Sequence, residues 1–289
     1  MTYFDNNVQQ LKYEVLSEVG KLAFENELTP EKANTVIPDG NPRMRCCIYK
    51  ERAIVNERVK MALGGNAKNP NVVEVLEIAC DECPVDGIQV TQACRGCIAH
   101  RCMNACPRQA ITVVDRHAVI DKTKCVECGR CVEACSYSAI IKQRRPCVNA
   151  CKADALTIDK ETKKAKIKEE KCISCGACVY RCPFGAIMDK SFITKAIRML
   201  VESRNNEVYK VYAIVAPAFA SQYPNIPQIT TEKVVTAIKK LGFHSVIEAA
   251  LGADMVAYSE ADELVEKGFL TSSCCPAFVR YIKKNYPHL

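Results

Sequence analysis

Apolar side chains recur at helical spacing near the start of the chain. A helix over residues 8–24 is predicted by apolar positions on one face, namely Val8, Leu11, Val15, Val19 and Leu22. Thr29 followed by Pro30 is typical of a helix N-cap and first turn. The segment CCIYKERAIVNERVKMALGG, residues 46–65, predicts a helix that ends at its two glycines. Residues 71–79, NVVEVLEIA, predict a strand.

Residues 94–190 repeat themselves. CPRQAITVVDRHAVIDKTKC (106–125) and CKADALTIDKETKKAKIKEEKC (151–172) both run from a cysteine through two short strands to the next cysteine motif. We interpret this as a duplication of small βαβ-like units. Such units are too small to fold on apolar burial alone, so bound metal is expected to contribute to their stability.

After residue 190 the pattern changes to alternating helices and strands. The expected elements are a helix over 191–205, a strand over 208–220, a helix over 230–242, a strand over 244–250 and a helix over 260–268. This alternation predicts an α/β domain. The predicted fold class is therefore α+β, with tandem cysteine modules followed by an α/β region. The expected divisions are an N-terminal helical extension (1–45), a leader (46–93), the duplicated region (94–190) and the α/β region (191–289).

Cysteine is unusually abundant, with 20 in 289 residues. The first residues lack the basic and apolar segments of a secretory signal, and no apolar run approaches the roughly 18 residues that a membrane span needs. We therefore expect a cytoplasmic protein with no membrane partner, in which thiolates bind metal instead of forming disulfides.

The spacing of the cysteines is that of bacterial ferredoxins. CISCGACVYRCP and CVECGRCVEACS each have the C-x₂-C-x₂-C-x₃-C run that ligates 4Fe–4S clusters, and CRGCIAHRCMNACP is a looser version. The tandem modules are therefore expected to resemble ferredoxins. Structural zinc, the alternative, favours separated C-x₂-C pairs. The net charge of +7 counts thiols as neutral. Because four thiolate-ligated clusters would bring it to about −1, no nucleic-acid partner is expected.

Sixteen cysteines make four sets when the fourth cysteine of a run ligates the neighbouring cluster, as in two-cluster ferredoxins. Set A contains Cys94, Cys97, Cys102 and Cys135. Set B contains Cys106, Cys125, Cys128 and Cys131. Set C contains Cys151, Cys172, Cys175 and Cys178. Set D contains Cys80, Cys83, Cys147 and Cys182. Set D is assigned by elimination, and Cys46 and Cys47 are rival ligands. The favoured alternative for that pair is buried thiols on a helix.

Several motifs together resemble the iron-only hydrogenases. CDECPVDG, CRGCIAHRCMNACP, RRPCVNAC and CISCGACVYRCPFGAI are followed by VAPAFA and then by TSSCCPAF at residues 271–278. The resemblance covers the chain from about residue 44 onward. It implies that the last region is the beginning of an α/β hydrogenase catalytic domain.

The resemblance also implies roles for four residues. Cys275 is expected to ligate the 4Fe–4S part of the active-site H-cluster, and Cys274 to donate and accept protons beside its di-iron part. Glu260 and Glu263 match a pair of glutamates on the proton route, although a solvated helical turn explains them equally well. The family's two further cysteine motifs do not follow Cys275 in this sequence. We therefore expect the di-iron group only in a longer protein, or with a separate catalytic chain.

Three functions remain open on the sequence alone. The first is a hydrogenase that exchanges electrons with soluble ferredoxin and interconverts protons and H₂. The second is a stand-alone polyferredoxin that carries electrons. The third is a hydrogenase-like sensor or assembly protein without catalysis. On the first interpretation this polypeptide alone should bind about sixteen irons and transfer electrons without hydrogen turnover.

Overall fold

The computed structural model describes residues 4, 6–29, 32, 40–84, 86–222, 229–271 and 274–289. Its α-helices are α1 (Asn7–Phe24), α2 (Ile48–Ala62), α3 (Arg101–Asn104), α4 (Arg130–Ala134), α5 (Pro146–Ala150), α6 (Ala177–Arg181), α7 (Ile193–Glu202), α8 (Thr231–Lys240), α9 (Ala249–Lys267) and α10 (Pro276–Asn285). Its strands are β1 (Val73–Val75), β2 (Gly87–Val90), β3 (Ile111–Val114), β4 (His117–Ile120), β5 (Ile140–Gln143), β6 (Leu156–Ile158), β7 (Ala165–Ile167), β8 (Ile187–Asp189), β9 (Tyr212–Val215) and β10 (Ser245–Glu248).

The two N-terminal helices form a small apolar core of their own. The Asn6 side chain caps α1 by accepting a hydrogen bond from the backbone N–H of Gln9. Val19 of α1 is buried against Val55 and Val59 of α2, and α1 also packs on α7. Both predicted helices are therefore present. The helix start predicted at Thr29 lies mostly outside the described residues, because 30–31 and 33–39 are not described.

The two ferredoxin-like modules are nested along the chain. The first module runs from β2 to β5, and these strands pair antiparallel around the β3–β4 hairpin. The second module takes β1 from upstream and pairs it antiparallel with β8, around the β6–β7 hairpin. The whole first module is thus inserted between the first strand of the second module and its remainder. The duplicated segments are confirmed as two antiparallel hairpins, not as βαβ units.

The strand predicted over 71–79 is wrong in its second half. It is limited to β1, and a 3-10 turn follows at Glu77–Ala79. The amide of Ala79 donates to the carbonyl oxygen of Leu76, and the amide of Cys80 donates to that of Glu77. Because Leu76 and Ala79 are both buried, this turn keeps the apolar side chains in the core where a straight strand would expose one of them.

The C-terminal region is built around a parallel pair of strands. β9 and β10 pair in parallel, and α8 forms the crossover between them, as expected for an α/β unit. The strand expected over 208–220 is shorter than predicted and continues as a 3-10 helix at Pro217–Gln222. The helix predicted from Glu260 begins earlier, at Ala249. α9 leaves large apolar side chains in solvent, including Val265, which is 87% exposed.

Candidate iron–sulfur centres

The structure brings the cysteines of sets B and D together completely. Burial raises the pKa of Cys131, and the thiolates of the other three set B members raise it further. Burial likewise raises the pKa of Cys147 to about 12, with added repulsion from the other three members of set D. All four cysteines of set B line one pocket. All four cysteines of set D line another.

The four cysteines of set C and three of set A are also brought together. Burial raises the pKa of Cys178 to about 11, and repulsion from the other three members of set C adds to it. Burial also raises the pKa of Cys102, which is close to Cys135 and Cys97 of set A. Both sets are partly open to solvent, since Cys97 of set A and Cys175 of set C are exposed.

The separation within each set is larger than a single metal ion requires. Among the described residues, no three His, Cys, Asp or Glu side chains are positioned to hold one metal ion. A zinc ion would need its ligand sulfurs about 2.3 Å from one central point, whereas a cubane spreads four thiolates around its corners.

Short helices explain how the sets pair. In the first module, Cys102 of set A lies on α3 and Cys106 of set B follows this helix. The same helix therefore positions one cysteine of each set. Cys131 and Cys135, at the two ends of α4, do the same in the opposite order. α5 and α6 repeat this arrangement for sets D and C in the second module. Gly129 and Gly176 begin α4 and α6 with φ of 83° and 75°, a conformation that disfavours other residues.

Backbone amides donate to the ligand sulfurs at equivalent places in the two modules. In the first module, Ala118 N–H donates to Cys94 Sγ of set A at 3.3 Å. In the second, Ala165 N–H donates to Cys80 Sγ of set D at 3.3 Å. Sets A and D therefore occupy corresponding positions, each with two cysteines after the module's first strand. This correspondence is independent of the elimination argument by which the sequence assigned set D.

Two buried arginines distinguish set D from set A, and sequence reasoning missed both. Arg145 is 2% exposed, and its Nη1 lies 3.9 Å from Cys80 Sγ. Its other guanidinium nitrogens donate to the carbonyl oxygens of Pro84 and Lys163. The corresponding position of the first module, two residues before the α3 cysteine, holds His100, whose Nδ1 lies 2.9 Å from Met103 Sδ. Two unit charges about 4 Å apart interact by about 4 kcal/mol at an effective dielectric constant of about 20, so Arg145 acts strongly on set D.

Arg58 of α2 is the second buried arginine. It is 2% exposed and donates from Nη2 to the carbonyl oxygen of Gly185 at 3.3 Å. Its Nη1 is buried without a hydrogen-bond partner. Burial and the neighbouring Arg45 lower its pKa to about 10, while Cys182 of set D raises it. Arg58 therefore stays charged at neutral pH.

These arginines fit an anionic group at set D. Among the described residues, neither Arg58 nor Arg145 has a carboxylate within ion-pair distance. A buried cation without a counter-charge is costly. Four thiolates around an oxidised cubane would supply about two negative charges at this place. The orphaned Nη1 of Arg58 and the contact of Arg145 with Cys80 thus agree with a bound cluster.

Known families match three parts of the chain. Residues 86–136 and 145–186 match two models of the 4Fe-4S dicluster domain. Residues 209–289 match the C-terminal domain of the iron only hydrogenase large subunit. An uncharacterized ferredoxin of Methanocaldococcus jannaschii is 35% identical over 107 residues, which are 29% of this chain and 70% of that protein. The chain belongs to the 4Fe-4S ferredoxins and carries an iron-only hydrogenase domain.

Two further relatives support both parts of this assignment. Iron hydrogenase 1 of Clostridium pasteurianum is 32% identical over 197 residues, 63% of this chain and 33% of that protein. The chain therefore spans about a third of the length of that hydrogenase. The polyferredoxin-like subunit of an aliphatic sulfonate oxidoreductase from Pyrococcus furiosus is 58% identical over 51 residues, 17% of this chain and 30% of that protein. The chain has iron–sulfur electron-transfer domains that hold several 4Fe–4S clusters.

The residues expected at the H-cluster lie in the hydrogenase domain, apart from the four sets. Cys275 is the N-cap of α10, and both Cys274 and Cys275 are exposed. Glu260 and Glu263 lie on α9, where Glu263 forms an ion pair with Lys267 at 3.5 Å. No helix among the described residues is long and apolar enough to cross a membrane.

The favoured interpretation of Cys46 and Cys47 is wrong. Both thiols are exposed, and they precede α2 instead of lying buried within it. Hydrogen bonding from the Lys50 backbone N–H lowers the pKa of Cys47. Neither thiol is needed as a ligand at set D, because that pocket is already lined by the four cysteines of set D.

Proposed function

We propose that this chain is the electron-relay portion of an iron-only hydrogenase, with one cubane ligated by each of sets A to D. Its partner is a soluble one-electron carrier of the ferredoxin type. When bound, the four clusters supply one-electron transfer. The chain's own residues determine the order of the centres, their exposure and their electrostatic surroundings.

The order of the relay is A, B, D, C. Sets A and B share α3 and α4, and sets D and C share α5 and α6, so each pair is adjacent. The link between the pairs is the segment from Cys83 to Gly87. Glu127, between two set B cysteines, lies so close to Gly87 that a Cβ there would come within 2.6 Å of its carboxylate. Set B of the first module therefore faces set D of the second.

The observation that carries the proposal is the contact between set C and the hydrogenase domain. Lys284 of α10 donates to the carbonyl oxygen of Cys172 at 3.2 Å. Arg280 of the same helix donates to Ser174 Oγ at 2.8 Å. Because Cys275 is the N-cap of α10, these bonds dock the helix that begins at the active-site cysteine onto the loop of set C. Set C is thus the exit of the relay.

Set A is the entrance. Cys97 is exposed, and the next residue, Ile98, is 95% exposed. An apolar side chain presented beside an accessible cluster suits a transient contact with a soluble carrier, since such interfaces are small. We place this exchange in the cytoplasm.

The C-terminal region is proposed to be part of an α/β catalytic domain, within the overall α+β fold. Cys275 would ligate the active-site cubane, and Cys274 would hold the proton exchanged with substrate. Glu260 and Glu263 would pass protons along the exposed face of α9. The reaction interconverts H₂ with two protons and two electrons, and the relay carries those electrons one at a time.

The relay is tested by removing the cluster at set C. The sample is a hydrogenase preparation that contains this chain and evolves hydrogen from reduced ferredoxin. Cys175→Ser should abolish ferredoxin-driven evolution but retain hydrogen–deuterium exchange, which needs no electron from the relay. Cys46→Ser, which removes an exposed thiol outside the four sets, should leave both activities unchanged. Loss of exchange together with evolution, or retention of both by Cys175→Ser, would contradict the relay.

A polyferredoxin carrier is the second candidate. It is favoured by the similarity of residues in this chain to the polyferredoxin-like subunit of Pyrococcus furiosus. A chain that reduces a one-electron acceptor but evolves no hydrogen when supplied with the complete active-site cofactor would support the carrier.

A further inference from the structure

We propose that Arg145 and Arg58 make set D the strongest electron acceptor of the relay, so that the first electron entering the chain rests there. Neither arginine lies at the proposed H-cluster, and the inference goes beyond the proposed function. It rests on the proposed function in that set D binds a cluster and receives electrons through sets A and B.

The backbone surroundings of the cysteine sulfurs are alike in sets A and D. Each set receives amide hydrogen bonds at equivalent sulfurs. Those to the last cysteine of each set come from Ala139 for Cys135 and from Ala186 for Cys182, both at 3.3 Å. Hydrogen bonds to sulfur are one determinant of cluster potential. Because these bonds match, they do not separate the two sets.

Net charge around the cluster is a second determinant, and here the sets differ. Arg145 lies with Nη1 at 3.9 Å from Cys80 Sγ. Arg58 holds a charged nitrogen near Cys182 that has no other hydrogen-bond acceptor. Set A has His100 at the position corresponding to Arg145, and His100 contacts Met103.

Solvent exposure is the third determinant, and it acts in the opposite direction. Cys80, Cys147 and Cys182 are buried, whereas Cys97 of set A is exposed. Burial alone makes the more negative, reduced cluster harder to form. The same burial removes water from between the guanidiniums and the cluster, which strengthens their attraction. The Asp86 carboxylate opposes this attraction, since it accepts a hydrogen bond from the Arg145 backbone N–H at 2.8 Å and acts on Cys83 of set D. Because the two guanidiniums outnumber this carboxylate, we expect their attraction to exceed the loss of solvation.

The reduction step needs no bond change in the protein. A cluster held by set D would accept one electron that a soluble carrier delivers through sets A and B, and the carrier would be oxidised. The two guanidiniums, which offset about two negative charges of the oxidised cluster, would also attract the added third charge and so favour the reduced form. The electron is then held between the modules until a further electron arrives.

The test is a potentiometric titration of the iron-loaded chain, followed by low-temperature electron paramagnetic resonance. The signal that Cys147→Ser removes identifies set D, and it should be the first to appear on reduction. Arg145→Met should lower the midpoint potential of the set D signal by at least about 59 mV. This shift corresponds to a tenfold change in the equilibrium constant for one-electron reduction. Arg145→Lys should restore part of this shift.

Arg144→Met is the matched control. It removes the same charge from the adjacent residue, which is exposed, and should leave the midpoint unchanged because water screens it. If Arg145→Met does not retain four clusters, Arg58→Met decides by the same criterion, since Arg58 donates only one hydrogen bond. Reduction of set D together with or after the other sets, or equal shifts in Arg144→Met and Arg145→Met, would overturn the inference. Iron content is measured in parallel, so that a missing cluster at set D is distinguished from a cluster that is present with an unshifted potential.

Discussion

Sets A and D are corresponding sites that the chain has placed in opposite environments. Both take two cysteines after the module's first strand, one from a short helix and one from the end of another helix. Set A opens to solvent at Cys97, whereas set D is enclosed by apolar side chains and by the N-terminal helix α2. This difference supports the proposal that one metal-binding scaffold serves as an entrance at set A and as an internal electron store at set D, depending on what covers it.

The largest expected difference between the two sets concerns stability. Cys147→Ser should remove the counter-charge of Arg58 and Arg145, and uncompensated buried charges cost about 3–5 kcal/mol. Thermal unfolding of the iron-loaded variant should therefore shift to a clearly lower temperature. Cys102→Ser, the matched change at set A, should lose its cluster with a much smaller shift. Equal shifts would contradict the electrostatic role assigned to the arginines.

Iron removal should also distinguish the sets. A chelator reaches the exposed Cys97 directly, but reaches set D only after local opening of the core around Cys147 and Cys182. We expect the resonance signal of set A to disappear first and that of set D last. Simultaneous loss of the two signals would show that both sites open in one step.

Apolar packing should contribute similarly in the two modules. Ile140 of β5 is 2% exposed and Ile187 of β8 is 1% exposed. Each pairs with the first strand of its module. Ile140→Val and Ile187→Val should each cost about 0.5–1.5 kcal/mol in chemical unfolding. A cost confined to one variant would mean that the modules are not equivalent in their cores.

The smallest expected effect concerns α1, which packs on the helix α2 that covers set D. A hydrogen bond from Arg43 holds the pKa of Glu14 below its usual value of 4.5, with Nη2 and Oε2 2.8 Å apart. Since the folded pKa is lowered, the stabilisation is complete above pH 4.5 and is lost as the pH falls through the lowered pKa. Glu14→Gln should cost about 0.2–1 kcal/mol at pH 7, and this difference should vanish in acid. A difference that grows as the pH falls would contradict the assignment.

Much of the relay could be predicted from the sequence, because metal ligation fixes cysteine spacing. The runs ending at Cys135 and Cys182 predicted four ligand sets, and the structure brings together sets B, C and D and three members of set A. The repeated A-[IL]-T segments predicted the strands of both hairpins. The nesting of the modules could not be predicted, since β1 precedes its partner β8 by more than a hundred residues.

The two arginines proposed to act on the cluster at set D, Arg58 and Arg145, could not be predicted for a related reason. Arg144 and Arg145 are adjacent and of the same type, yet one is exposed and the other is 2% exposed. Only the turn into α5, where Pro146 keeps the preceding residue extended, decides which of them faces Cys80. The one available signal was the position of Arg145, two residues before a cluster cysteine.

Iron quantification is the most direct test of the four-centre relay. We predict about sixteen irons and sixteen acid-labile sulfides for each reconstituted chain, and about twelve of each in the Cys147→Ser variant. About twelve irons in the unaltered chain, unchanged in Cys147→Ser, would contradict a cluster at set D and with it the order A, B, D, C.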